Sequence, residues 1–288
     1  MTADAFDERL RLLVEHALLE DIGDGDHSTL CCIPAEQQGK AVLKIKQAGL
    51  LAGVAVAQKI FAILEPEARV QVHKTDGETM QFGDIAFEVE ASIHTILKAE
   101  RLVLNCMQRM SGIAGLTKTY VDKISGYRTK ILDTRKTTPN FRLLEKEAVR
   151  IGGAVNHRFG LYDMIMLKDN HIDYAGGIAP AIEKAWAYVC QTKPGLKIEV
   201  EARTLADVSS VARMGKGKVF RVMLDNFQPE DIAACLHILA GDFETEASGG
   251  INLQNIEAYA ATGVDYISSG ALIHQAQSVD LSLKAVML

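Results

Sequence analysis

Proline is scarce in this chain, six in 288 residues against 23 glycines, so no long Pro- or Gly-rich linker is expected. No stretch approaches the roughly 18 uncharged apolar residues of a membrane span. The opening segment MTADAFDERLRLLVEHALLED alternates charge with apolar residues and does not read as a secretion signal. Cysteine is limited to Cys31, Cys32, Cys106, Cys190 and Cys235, an odd set without Cys-x-x-Cys spacing. Buried thiols in a reducing compartment are therefore expected, rather than a disulfide framework or a zinc site. Positive charge is not in excess either. The net charge of −6 makes the chain a poor general binder of nucleic acid or anionic membrane. Gly-x-Gly-x-x-Gly does not follow the first strand of the C-terminal half, and Gly-x-x-x-x-Gly-Lys-Ser/Thr is missing throughout, which disfavours a dinucleotide fold or a P-loop. A soluble, cytoplasmic enzyme is the expectation.

What is present is ordinary for a globular enzyme: 48% hydrophobic and 24% charged residues. An amphipathic helix is expected over residues 6–20, with Leu10, Leu13, Ala17 and Leu18 on one stripe. AVLKIKQ, RVQVHK and IAFEVEAS read as strands, GLLAGVAVAQKIFAIL as a turn entering a helix. A further helix is expected over 95–113, with Leu97, Leu104 and Met107 facing a core. From about residue 128 short β-rich runs alternate with helix-length segments: TKILDT, DMIMLK, LKIEVE, VFRVMLD, FETEAS and VDYISS. Such alternation implies parallel βαβ units with right-handed crossovers. The expected fold is α/β, an incomplete β/α barrel of six to seven parallel strands with an N-terminal α+β sandwich domain. The expected division is 1–115, rejoined by the tail 273–288, and 116–272.

In such a barrel reactive groups gather at the C-terminal ends of the strands. Those ends carry Arg135 and Lys136, then Lys168, Glu201, Asp225, Ser248-Gly249-Gly250 and Ser269-Gly270-Ala271. Small residues let backbone N–H groups approach a phosphate. Two carboxylates can hold hydrated Mg²⁺ or stabilise a developing cation. Arginine and lysine grip carboxylates, arginine in bidentate fashion. Between Tyr127 and Lys168 nine Lys or Arg face four Asp or Glu, a net +5 inside an acidic chain. That asymmetry suits an anionic substrate.

Each feature alone has a plainer explanation. A single Arg or Lys at a strand end is more often a surface charge, Gly-Gly a turn, Asp225 a helix cap, and His157 or His171 an ordinary polar side chain. The succession at consecutive strand ends is what departs from chance.

At LDTRKTTPNFRLLEKEAVRIGGAVNHRFGLYDMIMLKDNHI, residues 132–172, the chain closely resembles the quinolinate phosphoribosyltransferases. The likeness extends to LLEDIGDGDHST, GLLAG (49–53), AERLVLNCMQRMSGIAG (99–115), EVE (199–201), MLDNF (223–227), SGGI (248–251) and VDYISSGAL (264–272). It implies a Mg²⁺-dependent transfer of phosphoribose from phosphoribosyl pyrophosphate to quinolinate, with decarboxylation to nicotinate mononucleotide. It implies that Thr134, Arg135, Lys136, His157 and Arg158 line the quinolinate pocket and that Lys168 contacts the ligands. Glu201 and Asp225 would face the ribose and hold the metal through water, with 248–250 and 269–271 receiving the 5′-phosphate. Lys136, Lys168, Glu201 and Asp225 are the implied catalytic set. Arg101 would reach a neighbouring subunit's site in a homodimer or hexamer. The chain departs from the family pattern at Ile273 and Gln275, where Ile273 removes a hydroxyl beside the phosphate loop.

Three rivals remain at this point. One is the same fold acting on another acceptor, as in a molybdenum-associated branch. The second is a Schiff-base barrel enzyme using Lys168. The third is a phosphate-binding barrel without catalysis.

Overall fold

The computed structural model describes residues 2–286. The residues through Lys118, Thr137–Gly153 and those from Leu272 on form one compact unit, and Thr119–Lys136 with Ala154–Ala271 form the other. In chain order the first part comprises α1 (Ala3–Ile22), α2 (His27–Cys32), β1 (Gln38–Ile45), β2 (Gly49–Leu50), α3 (Val54–Leu64), β3 (Arg69–Val72), β4 (Thr79–Met80), β5 (Ile85–Ser92) and α4 (Ile93–Lys123). Then come β6 (Lys130–Leu132), α5 (Arg142–Ile151), β7 (Ile165–Leu167), α6 (Asp169–Ala175), α7 (Ile178–Gln191), β8 (Ile198–Ala202) and α8 (Leu205–Gly215). The chain finishes with β9 (Arg221–Asp225), α9 (Pro229–Leu239), β10 (Glu244–Ser248), α10 (Ile256–Ala261), β11 (Tyr266–Ser268), α11 (Ala271–His274) and β12 (Leu281–Val286).

The first unit is built on an antiparallel sheet of order β12-β1-β5-β3. Alternation along β1 and β5 turns Ala41, Leu43 and Ile45, with Phe87, Val89 and Ala91, into its core. Phe61 of α3 meets Phe87 of β5 edge to face, with ring centroids 6.2 Å apart. Burying each such ring is worth about 1.5–3 kcal/mol. α1 starts at Ala3, where Thr2 Oγ1 accepts the Ala5 N–H at 3.3 Å. Its fully buried residues are Leu10 and Val14, and the expected Leu13, Ala17 and Leu18 are only half-buried.

α4 runs ten residues beyond the expected end at 113. Glycine at 112 reads locally as a breaker, but it serves packing: a Cβ there would collide with the Gln277 carbonyl. Tertiary contact thus overrides helix propensity. The buried stripe of α4 is Ile96, Ala99, Val103, Met107 and Met110. Leu104 and Met107 are inside as expected, whereas Leu97 is 40% exposed. It lies one residue, about 100° of helix turn, from Ile96 on the stripe.

The segment 137–153, expected within the barrel, packs instead with the first unit. An ion pair with a buried carboxylate ties it there. Arg109 of α4 donates through Nε and Nη2 to Glu145 Oε1 at 3.1 and 3.0 Å, and caps the Ile273 and Ala276 carbonyls at 2.8 and 2.7 Å. Glu145 is fully buried and also accepts the Thr138 N–H and hydroxyl at 2.8 and 3.0 Å. A buried carboxylate this completely paired holds its segment firmly, because losing one partner strands a charge.

The second unit contains six parallel strands in the order β6-β11-β10-β9-β8-β7. All six β-rich runs read from the sequence are these strands. Val155 adds a parallel bridge to Leu132 outside β6, so the sheet has six strands and a one-residue seventh partner. No ladder joins β7 to that edge among the described residues, which leaves the barrel incomplete. Helices cap by local chemistry: Thr204 and Asp207 form a reciprocal box before α8, and Pro229 opens α9 ahead of Glu230 and Asp231. All five residues of β8 are buried, as expected of a parallel strand covered on both faces.

The cysteines are all free. Cys106 and Cys235 are buried, but Cys31, Cys32 and Cys190 are exposed, against the expectation of burial. No helix among the described residues is long and apolar enough to cross a membrane.

Candidate active site

Parallel strands end on one edge of their sheet, so strand order converts directly into the order of functional groups. Taken from β6 across to β7, the ends present Arg135 and Lys136, Ser269 and Gly270, Ser248 to Gly250, Asp225, Glu201 and Lys168. Outside β6, the Val155 bridge brings in His157 and Arg158. The two Ser/Gly ends are neighbours, and so are the two carboxylate ends. Strand order follows chain order from β7 to β11, and only β6 departs from it, pairing with β11 so that Arg135 and Lys136 lie beside the Ser/Gly ends. Arg101 is exposed on α4, in the first unit.

The cationic end is held by the backbone. The Lys136 N–H donates to Thr134 Oγ1 at 3.0 Å, which bends the chain and leaves Arg135 and Lys136 exposed. The His157 N–H donates to the fully buried Asp133 carboxylate at 2.7 Å. Arg158 is half-buried, and its Nη1 donates to the Met164 carbonyl at 3.0 Å, just before β7. Burial, then the like charge of Arg135, pull its pKa below the ordinary arginine value. Two guanidinium groups near enough for one to lower the other's proton affinity favour an anion between them.

The carboxylate end is equally marked. Glu201 is buried, and burial followed by the nearby Asp225 charge raises its pKa, with Lys168 opposing them. Lys168 Nζ lies 3.8 Å from Glu201 Oε2. Asn226 Nδ2 donates to Asp225 at 2.6 Å. Two hard oxygen donors at adjacent strand ends form a donor set that suits Mg²⁺ completed by water or phosphate oxygens.

The Ser/Gly end has the backbone geometry of an anion cradle. Asn226, Gly249 and Gly250 all have positive φ, at 60°, 100° and 62°. The Asn226 N–H donates to the Ser248 carbonyl at 2.8 Å. A Cβ on Gly249 would strike the Asn226 side chain and backbone nitrogen. Gly249→Ala is therefore expected to lose about 1–2 kcal/mol from the left-handed backbone alone, plus the clash. The measurement is thermal unfolding alongside KM for a phosphorylated substrate, and both should worsen. Ile273, the residue without a hydroxyl, is 1% exposed and buried in packing.

Below the site, the barrel interior holds charges that the strand-end reading missed. Glu199, Arg221, Glu244 and Glu246 sit on the same inward-facing rows as Glu201 and Asp225. Arg221 donates to Glu244 at 2.7 Å and to Glu246 at 3.2 Å. The His157 ring turns into this cluster, with Nε2 3.0 Å from Glu199 and 3.3 Å from Glu246. His157, Glu199 and Glu246 have the residue types and spacing of a metal site, yet Arg221 already supplies the neutralising charge beside Glu246. The available signal was ionisable residues spaced two apart, Glu199 and Glu201 on β8 and Glu244 and Glu246 on β10.

Two family models divide the chain between them: "Quinolinate phosphoribosyl transferase, N-terminal domain" over residues 26–111, and the corresponding C-terminal domain over 113–284. The chain belongs to the quinolinate phosphoribosyltransferase family. It is 42% identical over 288 residues to quinolinate phosphoribosyltransferase (decarboxylating) 1b of Nicotiana tabacum, spanning 96% of this chain and 82% of that one. It is 40% identical over 279 residues to the probable nicotinate-nucleotide pyrophosphorylase (carboxylating) of Bacillus subtilis, spanning 97% and 94%. The crystal structure of NadC from Streptococcus pyogenes superposes with a TM-score of 0.87 at 40% identity, covering 100% of this chain and 99% of that chain. The α/β fold with its parallel sheet and separate N-terminal sheet-and-helix unit is thus the family's fold.

Proposed function

We propose that the chain transfers phosphoribose from phosphoribosyl pyrophosphate to quinolinate with decarboxylation, giving nicotinate mononucleotide, pyrophosphate and CO₂ in de novo NAD biosynthesis. The observation that carries this reading is the ordered band of strand ends, cationic at one side, Ser/Gly-rich in the middle and acidic beyond. Quinolinate has two carboxylates, which Arg135 and Arg158 grip while Lys136 and Lys168 supply positive potential and Thr134 and His157 fix the cationic segments. Backbone N–H groups of 248–250 and 269–271 take the 5′-phosphate.

The bond from the anomeric carbon to pyrophosphate breaks with its electron pair leaving on pyrophosphate. Glu201 and Asp225 face the positive charge that builds on the ribose. The pyridine nitrogen then bonds to that carbon and becomes quaternary. The electron-poor ring accepts the pair released when the 2-carboxylate departs as CO₂, and a proton replaces it. Glu201 and Asp225 would hold Mg²⁺, which when bound neutralises pyrophosphate charge.

Arg101 completes the site of a second copy, making a homodimer, alone or within a hexamer, the active unit. The free cysteines and acidic surface fit the cytoplasm.

The test is acceptor choice. Purified protein with phosphoribosyl pyrophosphate and Mg²⁺ should consume quinolinate and ignore nicotinate, which offers one carboxylate. Equal turnover of both, or none with quinolinate, contradicts the reading.

A further inference from the structure

Neither cationic segment is positioned by its cations alone. Asp133 accepts the His157 N–H at 2.7 Å and thereby ties the strand end bearing Arg135 and Lys136 to the turn bearing Arg158. The His157 ring anchors that turn from below. Its Nδ1 accepts the Arg158 N–H at 2.7 Å, so the ring proton sits on Nε2. Nε2 lies 3.0 Å from Glu199 Oε2 and 3.3 Å from Glu246 Oε2, close enough for a charge pair though not aligned as a hydrogen bond in this conformation. The groups facing the ring are Glu199 on β8, Glu246 on β10, Arg221 on β9 beside Glu246, and Asp133 after β6. Burial lowers the ring's proton affinity, but the two carboxylates outweigh it and raise the pKa to about 9. Taking up a second proton would sacrifice the Arg158 N–H bond, so the hydrogen bond at Nδ1 opposes the carboxylates.

Glu199 and Glu246 are both fully buried. Burying a carboxylate costs several kcal/mol, and apolar residues of similar volume commonly hold a core as well or better. Stability is therefore a weak reason for this arrangement, and geometry is a better one. A rigid acceptor pair fixes the ring, the ring fixes the Arg158 backbone, and Asp133 fixes the distance to Arg135.

We propose that Glu199 and Glu246 are positioning residues which, through His157, set the spacing of the Arg135 and Arg158 cations and so the affinity for the dicarboxylate acceptor. This rests on the quinolinate reading above.

Four variants of the full chain separate the roles: E199Q, E199M, E246Q and E246M. Glutamine keeps an oxygen that accepts the Nε2–H; methionine keeps volume without an acceptor. Steady-state kinetics, calorimetric quinolinate binding and thermal unfolding are measured on each. Loss of a hydrogen bond to a charged acceptor corresponds to roughly a tenfold or larger effect. The methionine variants should raise quinolinate KM and Kd by about tenfold, with KM for phosphoribosyl pyrophosphate unchanged, and the glutamine variants should restore most of it. If a methionine variant does not fold, E199D or E246D, whose carboxylate is one methylene short of the ring, must show weakened quinolinate binding with the donor KM unchanged. Folded methionine or aspartate variants with wild-type quinolinate KM, or with equal rises in both KM values, overturn the proposal while the functional reading stands. Wild-type protein that neither binds nor turns over quinolinate overturns both.

Discussion

Arg158→Ala is expected to lower kcat/KM for quinolinate about a hundredfold, or about 2.7 kcal/mol of transition-state stabilisation. The guanidinium is half-buried and already disfavoured by Arg135, so an incoming carboxylate meets a cation that water solvates poorly. Charge-assisted hydrogen bonds in that setting are worth about 1.5–3 kcal/mol. The same side chain holds the Met164 carbonyl before β7, so alanine also slackens the open edge of the sheet. Arg158→Lys should recover only part of the loss, because an ammonium cannot make the forked contact. Steady-state kinetics with each substrate varied in turn decides the matter. The effect should fall on quinolinate, with KM for phosphoribosyl pyrophosphate little changed. An unchanged quinolinate kcat/KM removes Arg158 from the acceptor site.

Asp225→Ala should act on the other substrate. Its carboxylate stands at the end of β9, registered with Ser248 on one side, and it raises the pKa of Glu201. Removing it takes away half of the negative charge facing the ribose. By comparison with other preorganised charges at developing charge centres, kcat should fall about 10²–10³-fold. Quinolinate affinity, set at the cationic end of the band, should be nearly unaffected. The Mg²⁺ concentration for half-maximal rate should rise, since one of two oxygen donors is gone. A fall in kcat without any change in Mg²⁺ dependence would limit Asp225 to the ribose cation.

How much of this was legible from residues alone depended on the range of the interaction. The six strands of the second unit were readable because each is a short β-rich run between turns, and their C-terminal residues named the band. What could not be read was where the sheet stays open: β6 pairs with β11 and not with β7, which is set by hydrogen bonding between strands far apart in sequence. The segment 137–153 was misplaced for a similar reason: Arg109 and Glu145 are 36 positions apart, and nothing local marks them as partners. The exposed Leu97 shows the limit of periodicity, since a shift of one residue moves a side chain off the buried stripe. The interior cluster of His157, Glu199, Arg221 and Glu246 was hidden because a glutamate in a strand looks the same whether it faces solvent or a buried imidazole.

A single site that holds a dicarboxylate acceptor at its cationic end and a phosphoribosyl donor along the rest of the band makes decarboxylation follow glycosyl transfer. Release of labelled CO₂ from quinolinate carrying the label in its 2-carboxylate tests this most directly. With donor and Mg²⁺ present, CO₂ and nicotinate mononucleotide should appear in equal amounts, and without the donor no label should be released. Label released in the absence of phosphoribosyl pyrophosphate, or nucleotide formed with the label retained, would contradict the account.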